Sequence, residues 1–320
     1  MIERGTKYDA EIAEAMYHCT MCEACSNDCV TGYKPTDFIR EARTLAVVND
    51  IAPKAIIREI DNVLTSGNIF GKETSADLLA AIDSLPEKAE TLLYVGQSGR
   101  TVASGTAIAA ISFLKKAGVD FTVLKDEPAS GAYLADLMGL TGDVQAVAVK
   151  AADAIKASGA KKLIVLNPMD AVMFRDNYSR WGLLGGIEVI TFTAAAAELI
   201  ESGAVKVQKA ELRASLHEPV KLTRGIDEEK PLNDIIAALG IDHVQLFLHG
   251  KMSRCIGTVM MDGYDPAVSR VMVKTRLDDA HRLGCSVLLA ASPDDCYLMK
   301  KYAADGFEII DLIELLASKC

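Results

Sequence analysis

Long apolar runs are missing from this sequence. Its longest apolar stretches, such as LIVL and SVLLAAS, have the length of a β-strand, whereas a membrane-spanning helix needs roughly 20 apolar residues. The N-terminal stretch MIERGTKYDAEIAEAMYH is charged and amphipathic and contains no apolar signal-peptide core. We therefore expect a cytoplasmic protein with no membrane span.

Basic residues are scarce relative to acidic ones. The 320 residues include 34 Lys and Arg against 44 Asp and Glu, which gives a formal charge of −10. Because nucleic-acid binding requires clustered Lys and Arg, this balance argues against a nucleic-acid partner. Nucleotide-binding signatures are missing too, since the small-residue turn QSGRTVASG after a predicted strand contains neither G-x-G-x-x-G nor Walker A. We predict no flavin or dinucleotide site at that turn.

Cysteine is concentrated in one place. Four of the eight cysteines lie in the run HCTMCEACSNDCVTGYKP with the spacing C-x2-C-x2-C-x3-C: Cys19, Cys22, Cys25 and Cys29. Bacterial ferredoxins use this spacing to hold a [4Fe–4S] cluster through soft thiolate ligands. Zinc sites usually pair two C-x2-C units about 12–20 residues apart, so the spacing favours iron–sulfur. These four cysteines are the candidate ligands of one [4Fe–4S] cluster.

The fourth ligand of that cluster is open. In two-cluster ferredoxins the fourth cysteine of each run binds the other cluster, and this sequence has a single run, with Val30 in place of the usual following proline. Cys19, Cys22 and Cys25 are therefore the predicted ligands. The fourth is Cys29, a distant cysteine of this chain, or a cysteine of a partner protein.

Residues next to this run and elsewhere carry weaker signals. His18 precedes the first cysteine and is expected to be solvated or to cap a helix. The other cysteines are scattered, and we expect most of them to be buried or inert: Cys255, Cys285, Cys296 and Cys320.

The chain is organised in three regions. Residues 1–88 have a helical pattern, with helices expected at 1–18, 36–48, 53–67 and 75–84 around the cysteine loop. In residues 89–205 and again in 206–320, short apolar strands alternate with helices, which predicts βαβ units and parallel sheets. The similar rhythm of the two halves indicates a tandem duplication. We predict an α+β and α/β multidomain protein, with a helical ferredoxin-like module followed by two Rossmann-like repeats.

Several segments resemble one family. They are Cys19–Pro35 with the following TDFIREAR, TSGNIFG (65–71), GVDFTVLKDEPASG (118–131), SLHEPVKLTRG (215–225), CIGTVMMDGYDP (255–266) and VLLAASPDDC (287–296). Together they resemble the cysteine-rich (CCG) iron–sulfur proteins of the heterodisulfide reductase and anaerobic glycerol-3-phosphate dehydrogenase group. The resemblance implies a ferredoxin module and two CCG-type α/β repeats that act within an oxidoreductase complex.

The departures from this family concern its cysteines. In the heterodisulfide reductases, the repeats supply cysteines for two noncubane clusters that cleave a disulfide. Here most of those positions hold other residues: Gly96-Gln97, Ala129-Ser130, Asn167 to Asp170, Val220, and Ser292 to Asp295 with Cys296 displaced by one. Cys255 alone matches. The resemblance thus implies that the scaffold is kept while the family's catalytic cluster sites are lost.

Three functions are compatible with the sequence. The first is an electron-transfer subunit, whose single cluster serves a flavin, molybdenum or iron–sulfur partner while the repeats act as a docking scaffold. The second is a catalytic subunit acting on a disulfide or a small organic acid near Cys255 and Cys296, with His249 close by. The third is an assembly factor with a structural cluster. His217 and Glu218 are expected to pack at a strand end rather than act as an acid–base pair.

Overall fold

The N-terminal part of the chain is helical. The computed structural model describes residues 7–320, so residues 1–6 of the first predicted helix lie outside it. The helices of this part are α1 (Ala10–Tyr17), α2 (Ala24–Asn27), α3 (Pro35–Val48), α4 (Lys54–Ser66) and α5 (Ala76–Ile82). Helix α4 follows Pro53 and ends at Gly67, which takes the left-handed conformation at φ 73° that glycine accommodates without a Cβ clash.

The next part contains a four-stranded parallel sheet. Its strands are β1 (Thr91–Tyr94), β2 (Phe121–Thr122), β3 (Lys162–Val165) and β4 (Glu188–Thr191), in the order β2-β1-β3-β4. Its helices are α6 (Gly96–Arg100), α7 (Ser104–Lys116), α8 (Ala132–Met138), α9 (Gly142–Ala157), α10 (Pro168–Met173), which continues as a π-helical turn over Phe174–Tyr178, and α11 (Phe192–Glu201).

The last part contains a second four-stranded parallel sheet. Its strands are β5 (Arg213–His217), β6 (Asp242–His243), β7 (Val287–Ala290) and β8 (Glu308–Asp311), in the order β6-β5-β7-β8. Its helices are α12 (Lys230–Ala238), α13 (Val259–Tyr264), α14 (Pro266–His281), α15 (Pro293–Tyr302) and α16 (Leu312–Ser318), with a π-helical turn at Lys221–Gly225 and a 3-10 turn at Gly250–Met252. The two sheets have the same strand order, which fits the duplication.

The structure corrects two predicted elements. The segment QSGRTVASG, predicted as a turn, begins with helix α6, because the Glu127 carboxylate accepts the N–H groups of Val95 and Gly96 at 2.8 and 2.7 Å where the helix begins. The segment HVQLFLHG, predicted as a strand, pairs with the sheet only at its start in β6. The chain then leaves the sheet edge, and Phe247 is 87% exposed. Helices α8 and α10 were not predicted.

One hydrophobic core joins the three parts. It contains Tyr17 and Ile60 from the N-terminal helices, Tyr133 from α8, and Leu288 and Met260 from the last part. A second core fills the opposite faces of the two sheets. Because α3 and α4 pack against α8, and α4 also packs against α13, the cysteine loop lies over elements from both α/β parts. Among residues 7–320, no helix combines the length and apolar character needed to cross a bilayer.

Candidate metal centre

The loop Cys19–Glu23 has its carbonyl oxygens bound by three cationic side chains. Arg43 Nη2 donates to the Cys19 carbonyl at 2.5 Å, and Lys221 Nζ donates to the Met21 carbonyl at 2.9 Å. Arg224 Nε donates to the Cys22 carbonyl at 2.7 Å. Two charged donors from the distant π-helical turn therefore fix the path of a loop near the N-terminus.

The loop backbone is strained in a way that these contacts support. Met21 and Glu23 have φ values of 52° and 61°, in the left-handed region that non-glycine residues seldom occupy. The Met21 N–H points at the Cys19 sulfur at 3.4 Å. With its carbonyls held outward by cations, the loop can direct N–H groups toward its sulfurs, as an anion-binding site requires.

Three cysteines of the predicted run lie in this loop and in the short helix that follows it. Burial raises the pKa of the Cys19 thiol, the nearby Arg43 lowers it, and the charges of Cys22 and Cys25 raise it further. Cys25 lies in the short helix α2 and is exposed. The run therefore brings three thiols within electrostatic range of one another, with one edge of the group open to solvent.

Cys255 joins this group from the second α/β part. It is buried, and its thiol donates to Thr20 Oγ1 at 3.6 Å and to the Gly257 carbonyl at 3.5 Å. Cys255 and Cys22 line the same cleft, and the interaction between their thiols is the main cause of a lowered pKa at Cys22 and a raised pKa at Cys255. The structure thus places the one cysteine that matches the family's repeats directly beside the N-terminal run.

Cys22 and Cys255 line a cleft of about 290 Å³ with cationic residues around it. Arg224, Lys251 and Arg254 contribute to its walls. Within residues 7–320, the Nη2 nitrogen of Arg224 is buried and has no hydrogen-bond partner. A buried charged donor without an acceptor is costly. An anionic group bound between the thiols would satisfy it.

The thiols do not form a ready-made site for a single metal ion. In the part of the chain that the structure describes, no three His, Cys, Asp or Glu side chains are grouped as ligands of one metal ion. A cubane cluster binds each thiolate through a different iron, so its ligands lie further apart than those of one ion. An anionic iron–sulfur cluster requires soft thiolate ligands and is stabilised by cations close to them.

Cys29 and His18 have other partners. The Cys29 thiol lies 3.1 Å from the hydroxyl of Thr31, and this hydrogen bond lowers the pKa of Cys29. The His18 ring has Nε2 at 3.5 Å from Asp265 and packs edge-on against Tyr264. The histidine therefore links α1 to the α13–α14 turn.

The remaining candidates of the second α/β part do not gather around Cys255. Burial raises the pKa of Cys296, and the charge of Asp311 raises it further while that of Lys300 lowers it. Glu218 accepts the Gly250 N–H at 2.6 Å, and its carbonyl accepts the Ser253 hydroxyl at 3.1 Å. Glu218 therefore packs at the end of β5, as expected, and holds the segment that leads to Cys255. His217 Nε2 lies 3.7 Å from Asp295 Oδ1.

The cysteine-free positions of the first repeat converge on one buried polar network. Ser130 donates to Asp170 Oδ1 at 2.5 Å, and Asn167 Nδ2 donates to Asp294 Oδ1 at 2.9 Å. Tyr133 also donates to Asp294 at 2.9 Å. Burial raises the pKa of Asp170 to about 8 and that of Asp294 to about 6. Side chains that hydrogen-bond with one another thus occupy the positions where the resembling family has cysteines.

Sequence reasoning missed the three cations that hold the cysteine loop. A signal was present, because the quoted segment TDFIREAR ends at Arg43 and SLHEPVKLTRG contains Lys221 and Arg224. These basic residues follow positions where cysteines bind clusters in the resembling family. Basic residues so close to such positions could have drawn attention to themselves.

Comparison with known proteins points to iron–sulfur oxidoreductases. No protein-family profile matches the sequence. A probable membrane-anchored ferredoxin of Chromohalobacter salexigens is 26% identical over 279 residues, covering 83% of this chain and 41% of its own length. A probable iron–sulfur-binding oxidoreductase, FadF, of Bacillus subtilis is 23% identical over 337 residues, covering 97% and 47%. An EtfAB:quinone oxidoreductase of Syntrophomonas wolfei is 24% identical over 222 residues, covering 65% and 31%.

The chain spans less than half the length of these curated relatives. It is therefore similar to one part of proteins that are named for iron–sulfur binding or electron transfer. Among solved structures, glutamate racemases of Bacillus anthracis and Francisella tularensis overlap it with TM-scores of 0.34 and 0.35. Their sequence identities are 15% and 13%; they cover 72% and 73% of this chain, and 79% and 80% of their own. Likeness at this level carries no inference about function.

Proposed function

We propose that this chain is an iron–sulfur electron-transfer component of a larger oxidoreductase complex, with one [4Fe–4S] cluster bound through Cys19, Cys22 and Cys25. The observation that carries the proposal is that the carbonyls of the loop bearing these thiols are held by three cations, Arg43, Lys221 and Arg224. The names of the similar proteins support the same class of function.

The chain's own residues would hold and tune the cluster. When bound, a cluster of this type accepts and returns one electron at a time. Hydrogen bonds to the sulfurs and the charge around them set the potential. The Met21 N–H on the Cys19 sulfur and the cations Arg43 and Arg224 would favour the more negative, reduced state. The exposed Cys25 would mark the edge through which electrons enter and leave.

The α/β parts have a scaffolding role in this proposal. Residues 1–88 form the cluster module, and residues 89–205 and 206–320 form two repeats that dock redox partners. The polar network around Ser130, Asp170 and Asp294 supports this division, because carboxylates and hydroxyls are hard ligands that iron–sulfur clusters do not favour. Substrate chemistry would lie in a flavin, molybdenum or iron–sulfur partner.

Anaerobic purification followed by iron and sulfide analysis and EPR tests this function. We expect about four irons per chain and one cubane signal that appears on reduction and disappears on reoxidation. Co-purification from the native cell should recover redox subunits. A bound cluster that no reductant or partner can reduce would contradict an electron-transfer role and favour a structural one. A protein that binds zinc in place of iron would contradict the cluster itself.

A further inference from the structure

Cys255 has the surroundings of a cluster ligand. Cys255 is 8% exposed, and its thiol lies 3.6 Å from the Thr20 hydroxyl, within the cysteine loop. It lines one cleft together with Cys22. These contacts span the chain, since Thr20 and Cys255 are 235 residues apart. A further sulfur therefore lies beside the N-terminal cysteine loop.

The segment that carries Cys255 is fixed to the same support as the cysteine loop. Arg224 donates from Nε to the Cys22 carbonyl, and from Nη1 to the carbonyls of Ser253 at 2.6 Å and Lys251 at 3.0 Å. One guanidinium thus bonds to both loops. Because ligands held in place before binding lose little freedom on binding, this arrangement favours a shared site.

The electrostatics of the cleft between the two loops favour an anion. Three cationic residues, Arg224, Lys251 and Arg254, and one acidic residue, Asp28, line the cleft together with Cys22 and Cys255. The Arg224 Nη2 group is buried and, among the residues described, has no acceptor. Thiolates and sulfides of a bound cluster are acceptors for such a donor.

Cys29, the fourth cysteine of the run, lies in a different setting. It follows helix α2, and its thiol bonds with Thr31 at 3.1 Å, only two residues further along the chain. Its neighbour Val30 is fully exposed, at 100%. The Cys29 side chain is therefore bound within its own surface loop.

We infer that Cys255 is the fourth thiolate ligand of the cluster, so that one cluster joins the N-terminal loop to the second α/β repeat and leaves Cys29 outside its ligand set. The inference rests on the proposed function, since it requires that a [4Fe–4S] cluster is bound. It identifies the distant cysteine of this chain, rather than Cys29 or a partner's cysteine, as the ligand that completes the cubane.

Three serine variants of the full-length chain test this assignment under anaerobic conditions. Cys255→Ser should lose at least one iron per chain, from about four to about three or fewer, and show the EPR signal of a three-iron cluster when oxidised. Cys29→Ser should keep the wild-type iron content and spectrum. Cys296→Ser is the control for disturbing a buried thiol of the same repeat, since Cys296 is 2% exposed and lies against Asp311 and Lys300.

The outcomes separate the inference from the function on which it rests. If Cys29→Ser loses iron while Cys255→Ser retains it, Cys29 is the ligand and the inference is overturned. If both variants keep a four-iron cluster, the fourth ligand lies outside this chain, which also overturns it. A wild-type chain that takes up no cluster overturns the proposed function instead.

Alkylation of the wild-type protein covers the case in which Cys255→Ser does not fold. The cluster-loaded protein is treated with iodoacetamide, and the modified cysteine is located by peptide mass spectrometry. We expect Cys29 to be alkylated without loss of iron or of the cubane signal. Release of iron in step with modification of Cys29 would overturn the inference without any substitution.

Discussion

Arg224 donates a hydrogen bond from Nε to the carbonyl oxygen of Cys22 at 2.7 Å. The same guanidinium reaches the Ser253 carbonyl at 2.6 Å. A single side chain from the π-helical turn after β5 therefore sets the distance between the N-terminal cysteine loop and the loop before Cys255. Its charge also lies beside the thiols. Substitutions that remove or keep this charge therefore separate the effect of Arg224 on structure from its effect on the reduction potential.

Replacing Arg224 should change the reduction potential of the cluster. Arg224→Ala removes a cation that favours the more negative reduced state, so we expect a potential lower by about 60 mV, which corresponds to a tenfold change in a one-electron equilibrium. A redox titration followed by EPR measures this shift. Arg224→Lys keeps the charge but loses the forked hydrogen bonds. The reduction potential of this variant should stay close to that of the wild type, but the variant should lose iron faster on dilution. An unchanged potential in Arg224→Ala would place the guanidinium outside the cluster's field.

Asp136 should be essential for holding the cations next to the cysteine loop. Its carboxylate lies 3.4 Å from Arg40 and 3.5 Å from Lys221 and is almost fully buried. Burial alone would raise the pKa of Asp136, but Lys221, Arg40 and Arg43 outweigh it and hold the pKa below its usual value. Asp136→Asn leaves these cations without their buried counter-charge and should cost about 3 kcal/mol in the free energy of unfolding.

The pH dependence of the Asp136 contribution follows from the sign of its shift. A depressed carboxyl pKa stabilises the fold above the ordinary carboxyl range, and this contribution is lost as the pH falls through the folded-state pKa. Wild-type stability should therefore drop more steeply in acid than that of Asp136→Asn. Urea unfolding at several pH values checks this difference. Asp37→Asn, which removes the exposed partner of Arg40, should leave both quantities nearly unchanged.

Asp170 should produce the opposite pH dependence. Burial raises its pKa to about 8, with further increases from the charges of Asp294 and Glu127, while the hydrogen bond from Ser130 lowers it. Between the ordinary carboxyl pKa and pH 8 the folded state binds this proton more tightly than the unfolded state, so stability falls as the pH rises through that window. Asp170→Asn cannot titrate and should lose less stability between pH 5 and pH 8.

Urea midpoints at pH 5 and pH 8 measure the Asp170 effect. Asp153→Asn, at an exposed position of helix α9, is the matched control for removing one negative charge. A wild-type curve that is flat over this window, or an Asp170→Asn curve parallel to it, would mean that Asp170 is ionised in the folded protein.

Substitutions at Gly96 and Gly159 can be compared to measure how tightly the backbone packs against Asp170 of the polar network. Both have left-handed φ values, +79° and +80°, but a Cβ on Gly96 would clash with Asp170 Oδ2, whereas one on Gly159 would meet nothing within 4 Å. Gly159→Ala should cost about 1 kcal/mol for the backbone conformation alone. Gly96→Ala should cost at least about 1–2 kcal/mol more because of the clash. Equal shifts in thermal midpoint would show that the site relaxes without penalty.

The sequence was sufficient for the parts of this fold that depend on local chemistry. Helix α4 begins directly after Pro53 and ends directly before Gly67, as predicted. The apolar segments TLLYVG and SVLLAASP each contain a strand of a parallel sheet. The alternating pattern predicted two sheets, and the structure contains two of identical strand order. Such features depend on neighbours in sequence, so pattern and propensity can identify them.

The errors and omissions come from long-range contacts. The sequence of α6 is typical of a turn. Its helix begins where the Glu127 carboxylate accepts backbone N–H groups, and only the tertiary fold brings Glu127 to that place. The approach of Cys255 to Cys22 likewise depends on how the last part of the chain packs over helices α1 and α4. The spacing of the N-terminal run left that partner as one of three alternatives, and no local pattern could select among them.

The donors that hold the cysteine loop also have a consequence for the order of folding. Lys221 and Arg224 reach Met21 and Cys22 across 200 and 202 residues. The loop is synthesised before these two donors, so its carbonyls stay unbound by them until the π-helical turn has been synthesised and has folded. The loop is therefore completed only after a segment that follows it by some 200 residues, and a fragment that ends before residue 221 would carry the cysteines without the two cations that hold their loop.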